Sequence, residues 1–278
     1  MEKFIVFDFS VLVPVTMGPV SGYAVVDTGG VGSLIFQPFA EGLPRVGTSK
    51  IQSYLAAEQT EECRFDLLSV FGQNLSDVVA TIVPRQIGDY ATLPFPVVGT
   101  LGIDTLYQKP LYLQFAAGKI GFLEAVPPEL EKRSQIIGLH FQKGFPFFTV
   151  GLGSFRLQTA FDTGSGYSVL NARWLDGLRP ELMEQQPEDL SDGTGTKAWI
   201  PVYKHRNLQI DGYSLGETRF LAVDLSDLEK RLDTEIDFVL GFNAMMNQNW
   251  IVDKAGNRLL LLDAKWEGTA GEKPTGAN

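Results

Sequence analysis

The chain has 278 residues, 44% of them hydrophobic and 20% charged, with a formal net charge of −10. That length accommodates one large domain or two moderate ones; the lack of any Lys/Arg block excludes a phosphate-backbone partner, and no apolar run reaches the roughly 20 residues of a membrane span. A single cysteine, Cys63, excludes an intramolecular disulfide and a cysteine-based metal cluster, so a cytoplasmic location is expected, with no nucleic acid and no membrane as partner.

From the N-terminus, "FIVFDFSVLVPV" is an apolar run broken by Asp8 and resumed after it, the rhythm of a strand more than of a signal peptide. Secretion is the lesser alternative. Next comes "VVDTGGVGSLI" at 25–35, then "RFDLLSVFGQNLSDVVATIV", "TLGIDTL" and "LYLQFAAGKIGFL". After the Pro- and charge-rich "EAVPPELEKRSQ" at 124–135, the second half gives "FDTGSGYSVL" at 161–170, "RNLQIDGYSLGETRFLAVDL", "VLGFNAM" and "NWIVDKAGNRLLLL". Short apolar runs bounded by Gly, Pro, Asn and Asp predict a mostly β chain. "NARWLDGL" and "LSDLEKRL" are the best helical candidates.

The two halves repeat one another in order. Asp27 precedes Gly102 by 75 positions and Asp162 precedes Gly241 by 79; Gly118 and Gly256 follow 16 and 15 positions later. This doubling predicts an N-terminal β lobe over 1–123, a linker over 124–135 and a C-terminal β lobe over 136–263. The tail 264–278 is expected to be flexible. Only 26 residues precede Asp27, about what two strands need, so no separate inhibitory prosegment is expected.

An Asp at the end of a buried strand is costly to ionise unless nearby donors hold the charge. Gly allows a tight turn that aims an N–H at the carboxylate, and Thr adds a hydroxyl. If the halves pack about an approximate two-fold axis, Asp27 and Asp162 meet there and share one proton, one acting as base and the other as acid over a single water. Such a pair hydrolyses an amide by general acid–base chemistry, without metal, cofactor or covalent intermediate.

With Asp-Thr-Gly twice in apolar flanks, and an apolar-apolar-Gly segment downstream of each, the chain resembles the pepsin and retropepsin-like aspartic proteases across residues 4–263. The resemblance implies an acid-protease-like fold with a cleft between two lobes, and an aspartic endopeptidase acting on an extended peptide or protein substrate. It makes Asp27 and Asp162 the catalytic dyad, with Thr28, Gly29, Thr163, Gly164 and Ser165 supporting. Thr28 and Thr163 would cross-brace the turns, and "TLG" at 100–102 and "VLG" at 239–241 would thread the loops that carry them. The halves are short beside pepsin lobes and resemble two retropepsin subunits in tandem, so a monomer suffices for a dyad.

The resemblance also implies a β-hairpin flap. Its candidates are Gly193, Thr194 and Gly195 within "DLSDGTGTKAWIPVY", and Tyr54 in "VGTSKIQSYLAAEQ". Ser165, where family members place Ser, Thr or Ala, is expected to offer its hydroxyl to the outer oxygen of Asp162. Gly30 gives the first turn no counterpart, which predicts that Asp162 ionises more readily and that Asp27 holds the proton.

The rival class is a catalytically silent peptide-binding or regulatory protein on the same fold. "GLGSF" at 151–155 lacks the third glycine and helix of a dinucleotide site, and "GTGT" at 193–196 lacks a P-loop ending. His140 and His205 have no ligand spacing and read as packed or surface residues. Cys63 lacks a histidine partner, and its acidic neighbours are expected to raise its pKa. The Trp and Phe residues read as core.

Overall fold

The computed structural model describes residues 1–53, 57–83, 90, 92–191 and 196–263. The chain is mostly β. Its first half holds β1 (Glu2–Lys3), β2 (Ile5–Phe7), β3 (Ser10–Met17), β4 (Val20–Val26), β5 (Leu34–Phe36), β6 (Arg45–Gln52), β7 (Ala57–Val70), β8 (Gln73–Val83), β9 (Val97–Leu101), β10 (Leu111–Gln114) and β11 (Lys119–Phe122). There follow β12 (Gln135–Gly138), β13 (His140–Gln142), β14 (Phe145–Leu152), β15 (Phe155–Phe161), β16 (Ser168–Asn171), β17 (Met183–Ser191), β18 (Lys197–Ile210), β19 (Tyr213–Val223), β20 (Phe238–Leu240), β21 (Gln248–Asp253) and β22 (Arg258–Asp263). Short helices are α1 (Ile103–Leu106), α2 (Pro128–Glu131), α3 (Leu175–Leu178), α4 (Ser226–Leu232) and α5 (Phe242–Met245).

One eight-stranded sheet runs β2-β3-β4-β9-β5-β8-β7-β6 and another runs β13-β14-β15-β20-β16-β19-β18-β17. Position by position the two orders match, down to the extra pairings β3 with β7 and β14 with β18. The turns match as well. Two-residue links with both φ angles positive, the geometry that suits the twist of a hairpin, join β7 to β8 at Phe71–Gly72 and β18 to β19 at Asp211–Gly212; others join β2 to β3 at Asp8–Phe9 and β13 to β14 at Lys143–Gly144.

A third sheet, β1-β11-β10-β21-β22-β12, takes strands from both halves of the sequence. They meet at the antiparallel pair β10–β21, where Leu113 lies opposite Trp250. The stretch expected to be a linker is anchored to this sheet: α2 lies within it, and Glu131 accepts a hydrogen bond from Arg258 Nη1 at 2.9 Å. The 26 residues before Asp27 hold four short strands, β1 to β4, not two.

Burial follows from strand position. Strands β9 and β20 each lie between two neighbours in the middle of a sheet and are buried throughout, apolar except for Thr100 of β9, as strands covered on both faces are. The longer β7 and β18, 14 residues each, alternate buried and exposed positions over much of their length. Phe147, Phe161, Phe220, Phe238, Phe242 and Trp250 are among the largest fully buried side chains, and a single apolar cluster runs through both halves. Trp199 departs from the expected core role: it sits on β18 with 74% of its surface exposed, because it falls on the outward phase of the alternation.

The helical candidates are helical in short pieces. "LSDLEKRL" gives α4, and "NARWLDGL" gives a 3₁₀ turn at Ala172–Trp174 running into α3. "GLGSF" is the tight turn between β14 and β15. No helix among the described residues is long and apolar enough to cross a membrane, and no cluster among them could hold a metal ion. His140 is exposed and stacks on Phe147, while buried His205 lies 3.5 Å from Glu181. Burial, and not the acidic neighbours expected from the sequence, pushes the Cys63 thiol up, against the opposing pull of Arg45. The tail expected to be flexible lies outside the described residues.

Candidate active site

Strands β4 and β15 each run into an Asp-Thr-Gly turn, and β9 and β20 lie parallel beside them. Asp27 N donates to Leu101 O at 3.0 Å and Asp162 N to Leu240 O at 3.1 Å. The chain beyond each Asp then passes over the end of that neighbouring strand. Ile103 N donates to Gly30 O at 2.9 Å and Phe242 N to Ser165 O at 2.8 Å. Contact here is so close that only glycine fits: a Cβ on Gly102 would lie 2.4 Å from the Gly32 carbonyl carbon, and one on Gly241 would lie 2.4 Å from that of Tyr167. The landmark glycines of the sequence are therefore required by backbone crossing backbone.

The two turns also lock to each other. Thr28 N donates to Thr163 Oγ1 at 3.1 Å and Thr163 N donates to Thr28 Oγ1 at 2.9 Å. Each hydroxyl in turn donates across the junction, Thr28 to Phe161 O at 3.2 Å and Thr163 to Val26 O at 2.7 Å. Both threonines are 0% exposed. No donor or acceptor in this four-bond ring is left unpaired, as burial demands.

Above the ring lie the carboxyls. Gly29 N donates to Asp27 Oδ1 at 3.0 Å, and Gly164 N and Ser165 N donate to Asp162 Oδ1 at 2.8 and 3.2 Å. Each carboxyl covers the glycine of the opposite turn: a Cβ on Gly29 would fall 2.3 Å from Asp162 Cγ, and one on Gly164 would fall 2.4 Å from Asp27 Cγ. The Asp27 and Asp162 carboxyls lie within hydrogen-bonding reach of each other. Burial first, then the charge of Asp162, then that hydrogen bond hold the Asp27 carboxyl well above its ordinary value, against the N–H groups of Gly29 and Gly30. A bond between two carboxyls needs a proton on one of them, so the pair titrates as a unit that holds one proton more readily than an isolated carboxyl does.

Ser165 plays a different part from the one expected. Its hydroxyl donates to Tyr167 O at 2.6 Å, and only its backbone N–H reaches Asp162. The turn closes on itself two residues further along, and that nearby carbonyl captures the hydroxyl. The asymmetry of the pair therefore does not come from a serine hydroxyl on Asp162.

Several positioning residues escape a motif-based reading. Ser33 Oγ donates to Asp104 Oδ1 at 2.9 Å and receives Gly102 N at 3.2 Å; Ser168 Oγ donates to Asn243 Oδ1 at 3.0 Å and receives Gly241 N at 3.1 Å. Each serine stands six residues after its Asp and each acceptor two residues after its Gly, so the repeat itself carried the signal. Tyr107, buried beneath the first turn, donates its hydroxyl to Thr28 O at 3.4 Å.

A cleft of about 540 Å³ opens over the carboxyls, floored by Asp27, Asp162, Gly30 and Ser165. On one side it is walled by the β6 arm of the β6–β7 hairpin, with Ser49, Lys50 and Ile51, and on the other by Leu228 and Leu232 of α4. The flap candidates Tyr54, Gly193, Thr194 and Gly195 lie outside the described residues, as does "GTGT" apart from Thr196. The chain matches no protein-family model and no curated protein.

Proposed function

We propose that the protein is an aspartic endopeptidase: a two-lobed, acid-protease-like chain whose halves are related by an approximate two-fold axis through the ring of Thr28 and Thr163. The observation that carries the reading is the close approach of the Asp27 and Asp162 carboxyls, each lying over the glycine of the opposite turn, at the foot of an open cleft. Structural carboxylates are ordinarily paired with cations; two carboxyls sharing a proton repel every further deprotonation, a cost that function explains and stability does not. The matched strand orders and the cross-braced turns support the same reading.

The chemistry follows from the pair. A water bound between the carboxyls gives its proton to ionised Asp162 as its oxygen attacks the peptide carbonyl. Protonated Asp27 gives its proton to the carbonyl oxygen, so the tetrahedral intermediate forms without a separated charge. On collapse Asp162 passes the proton it took to the leaving nitrogen, the C–N bond breaks, and Asp27 takes a proton back from one of the two hydroxyls. An extended peptide would enter as an added strand along the cleft, its side chains alternating between walls.

The test is cleavage of a peptide library between about pH 4 and 7, with and without pepstatin. Wild type is expected to cut, and Asp27→Ala and Asp162→Asn each to lose at least about 10³-fold in kcat/KM, the usual scale for losing an essential catalytic group. Identical cleavage profiles for all three proteins would refute the assignment. Peptide binding with no cleavage would instead identify a silent binder.

A further inference from the structure

The matched sheets differ chemically in one row of cross-strand neighbours that borders the cleft. In the first sheet the row runs Thr100, Leu34, Thr81, Glu62, Gly47, each paired with the next. Its counterpart in the second runs Val239, Val169, Leu221, Val202, Gln185. The registers correspond, since Leu34 and Val169 each stand seven residues after their Asp, and Thr100 and Val239 each two before their Gly. Directly paired side chains share a face of the sheet and sit one strand spacing, about 4.8 Å, apart.

Leu34, Thr81 and Glu62 all line the cleft. Their second-sheet counterparts Val169, Leu221 and Val202 are buried in the core, and the cleft there is lined by Leu228, Leu232, Ile236 and Val239. That stretch of wall is apolar, although Lys143 also lines the cleft. The opposite wall passes from an alkyl group through a hydroxyl to a carboxylate over roughly 10 Å, two strand spacings.

The Glu62 carboxylate has room and no competitor. Gly47 faces it across the pair, and a Cβ there would lie 2.8 Å from Glu62 Oε2. Neighbouring Glu61 takes Arg45 as its ion-pair partner. Among the described residues Glu62 itself has none within 4 Å. Lys50 lines the same cleft but makes no ion pair with it. A half-buried carboxylate facing a cleft at the end of a graded row is a receptor for a long side chain with an apolar stem and a cationic head.

We propose that this wall selects a lysine or arginine side chain of the substrate, while the wall of Leu228, Leu232 and Ile236 takes a bulky apolar one, so that cleavage is directional. The inference rests on the proposed peptidase reading for its catalytic arm and on the cleft alone for its binding arm.

The catalytic arm compares paired peptides that differ only in Arg, norleucine or Glu at the selected position. Wild type is expected to favour Arg over norleucine by at least tenfold in kcat/KM, Glu62→Gln to bring that ratio near one, and Glu62→Lys to favour Glu. In the binding arm the same peptides, fluorescently labelled, are titrated against Asp162→Asn protein with and without Glu62→Gln, read by anisotropy. Tighter binding of the Arg peptide that Glu62→Gln weakens about tenfold supports the subsite even where no cleavage occurs. Equal handling of Arg and norleucine by wild type, a preference that survives Glu62→Gln, or no binding in the second arm overturns it. Loss of cleavage with the binding preference intact refutes the peptidase reading and leaves the subsite standing.

Discussion

Each of the two buried threonine hydroxyls accepts one N–H from the facing turn and donates to one carbonyl of the facing strand. Removing one hydroxyl orphans a buried N–H and a buried carbonyl together. Since a buried group left unpaired costs about 1–3 kcal/mol, Thr28→Val is expected to destabilise the fold by about 2–4 kcal/mol in urea unfolding, whereas Thr28→Ser, which keeps the hydroxyl, should lose less than half of that. Equal losses would show that the methyl packing of Thr28, not its hydroxyl, holds the turn. The carboxyl above it predicts a pH dependence whose sign can be worked out. Burial and Asp162 raise Asp27 well above 3.8, so the folded state binds this proton more tightly than the unfolded chain. Its stabilising contribution is complete below about pH 3.8 and is lost as the pH rises towards the folded value. Asp27→Asn keeps the shape and removes that loss. Its melting temperature relative to wild type should therefore climb steadily from about pH 4 to 7, and two parallel curves would show that Asp27 carries no such shift.

The segments around the aspartates were legible because each is short, doubled and chemically unusual: an ionisable residue at the end of an apolar strand, then Thr-Gly, then a glycine fixed by a crossing. Gly102 and Gly241 stand out by their spacing and are required by their surroundings, since each lies against the backbone of the loop that follows its Asp. Gly102→Ala would set a Cβ 2.4 Å from a backbone carbon and 2.5 Å from its oxygen. Backbone cannot swing aside as a side-chain tip can, so a loss of about 2 kcal/mol or more is expected, at the upper end of overpacking costs. Gly138→Ala, with nothing within 4 Å of the new carbon, serves as control and should change stability by no more than about 0.5 kcal/mol. If both behave as the control does, the crossing is looser than its distances say. Less legible was anything set by a competing local partner. The Ser165 hydroxyl goes to Tyr167 O because that acceptor is two residues away, a choice made by turn geometry that residue type does not encode. Ser33 and Ser168 share a place in the repeat, yet their acceptors differ, Asp104 in one half and Asn243 in the other. Trp199 likewise follows strand phase over hydrophobicity.

At the scale of the whole molecule, the doubling of the sequence suggests two independent units, and the six-stranded sheet argues otherwise. The runs "LYLQF" and "NWIVD" read individually as strands, but nothing local says that they pair with each other across more than 130 residues; only the register of Leu113 with Trp250 and Tyr112 with Ile251 does so. Either half alone would leave β10 or β21 as an open edge, strip one side of the threonine ring and expose part of a continuous apolar cluster. Unfolding one half thus removes partners from the other, and a single cooperative transition is expected despite a length at which separate domains are common. Urea curves followed by far-UV circular dichroism, which reports all the sheets, and by intrinsic fluorescence, which reports buried Trp250 and half-buried Trp174 among others, should superimpose. Leu113→Ala, made at that junction, should shift both curves together, by about 2–5 kcal/mol for a large-to-small change at a fully buried site. Two separated transitions, of which Leu113→Ala moves only one, would mean that the halves fold apart and that the Asp27–Asp162 pair forms when the finished halves dock.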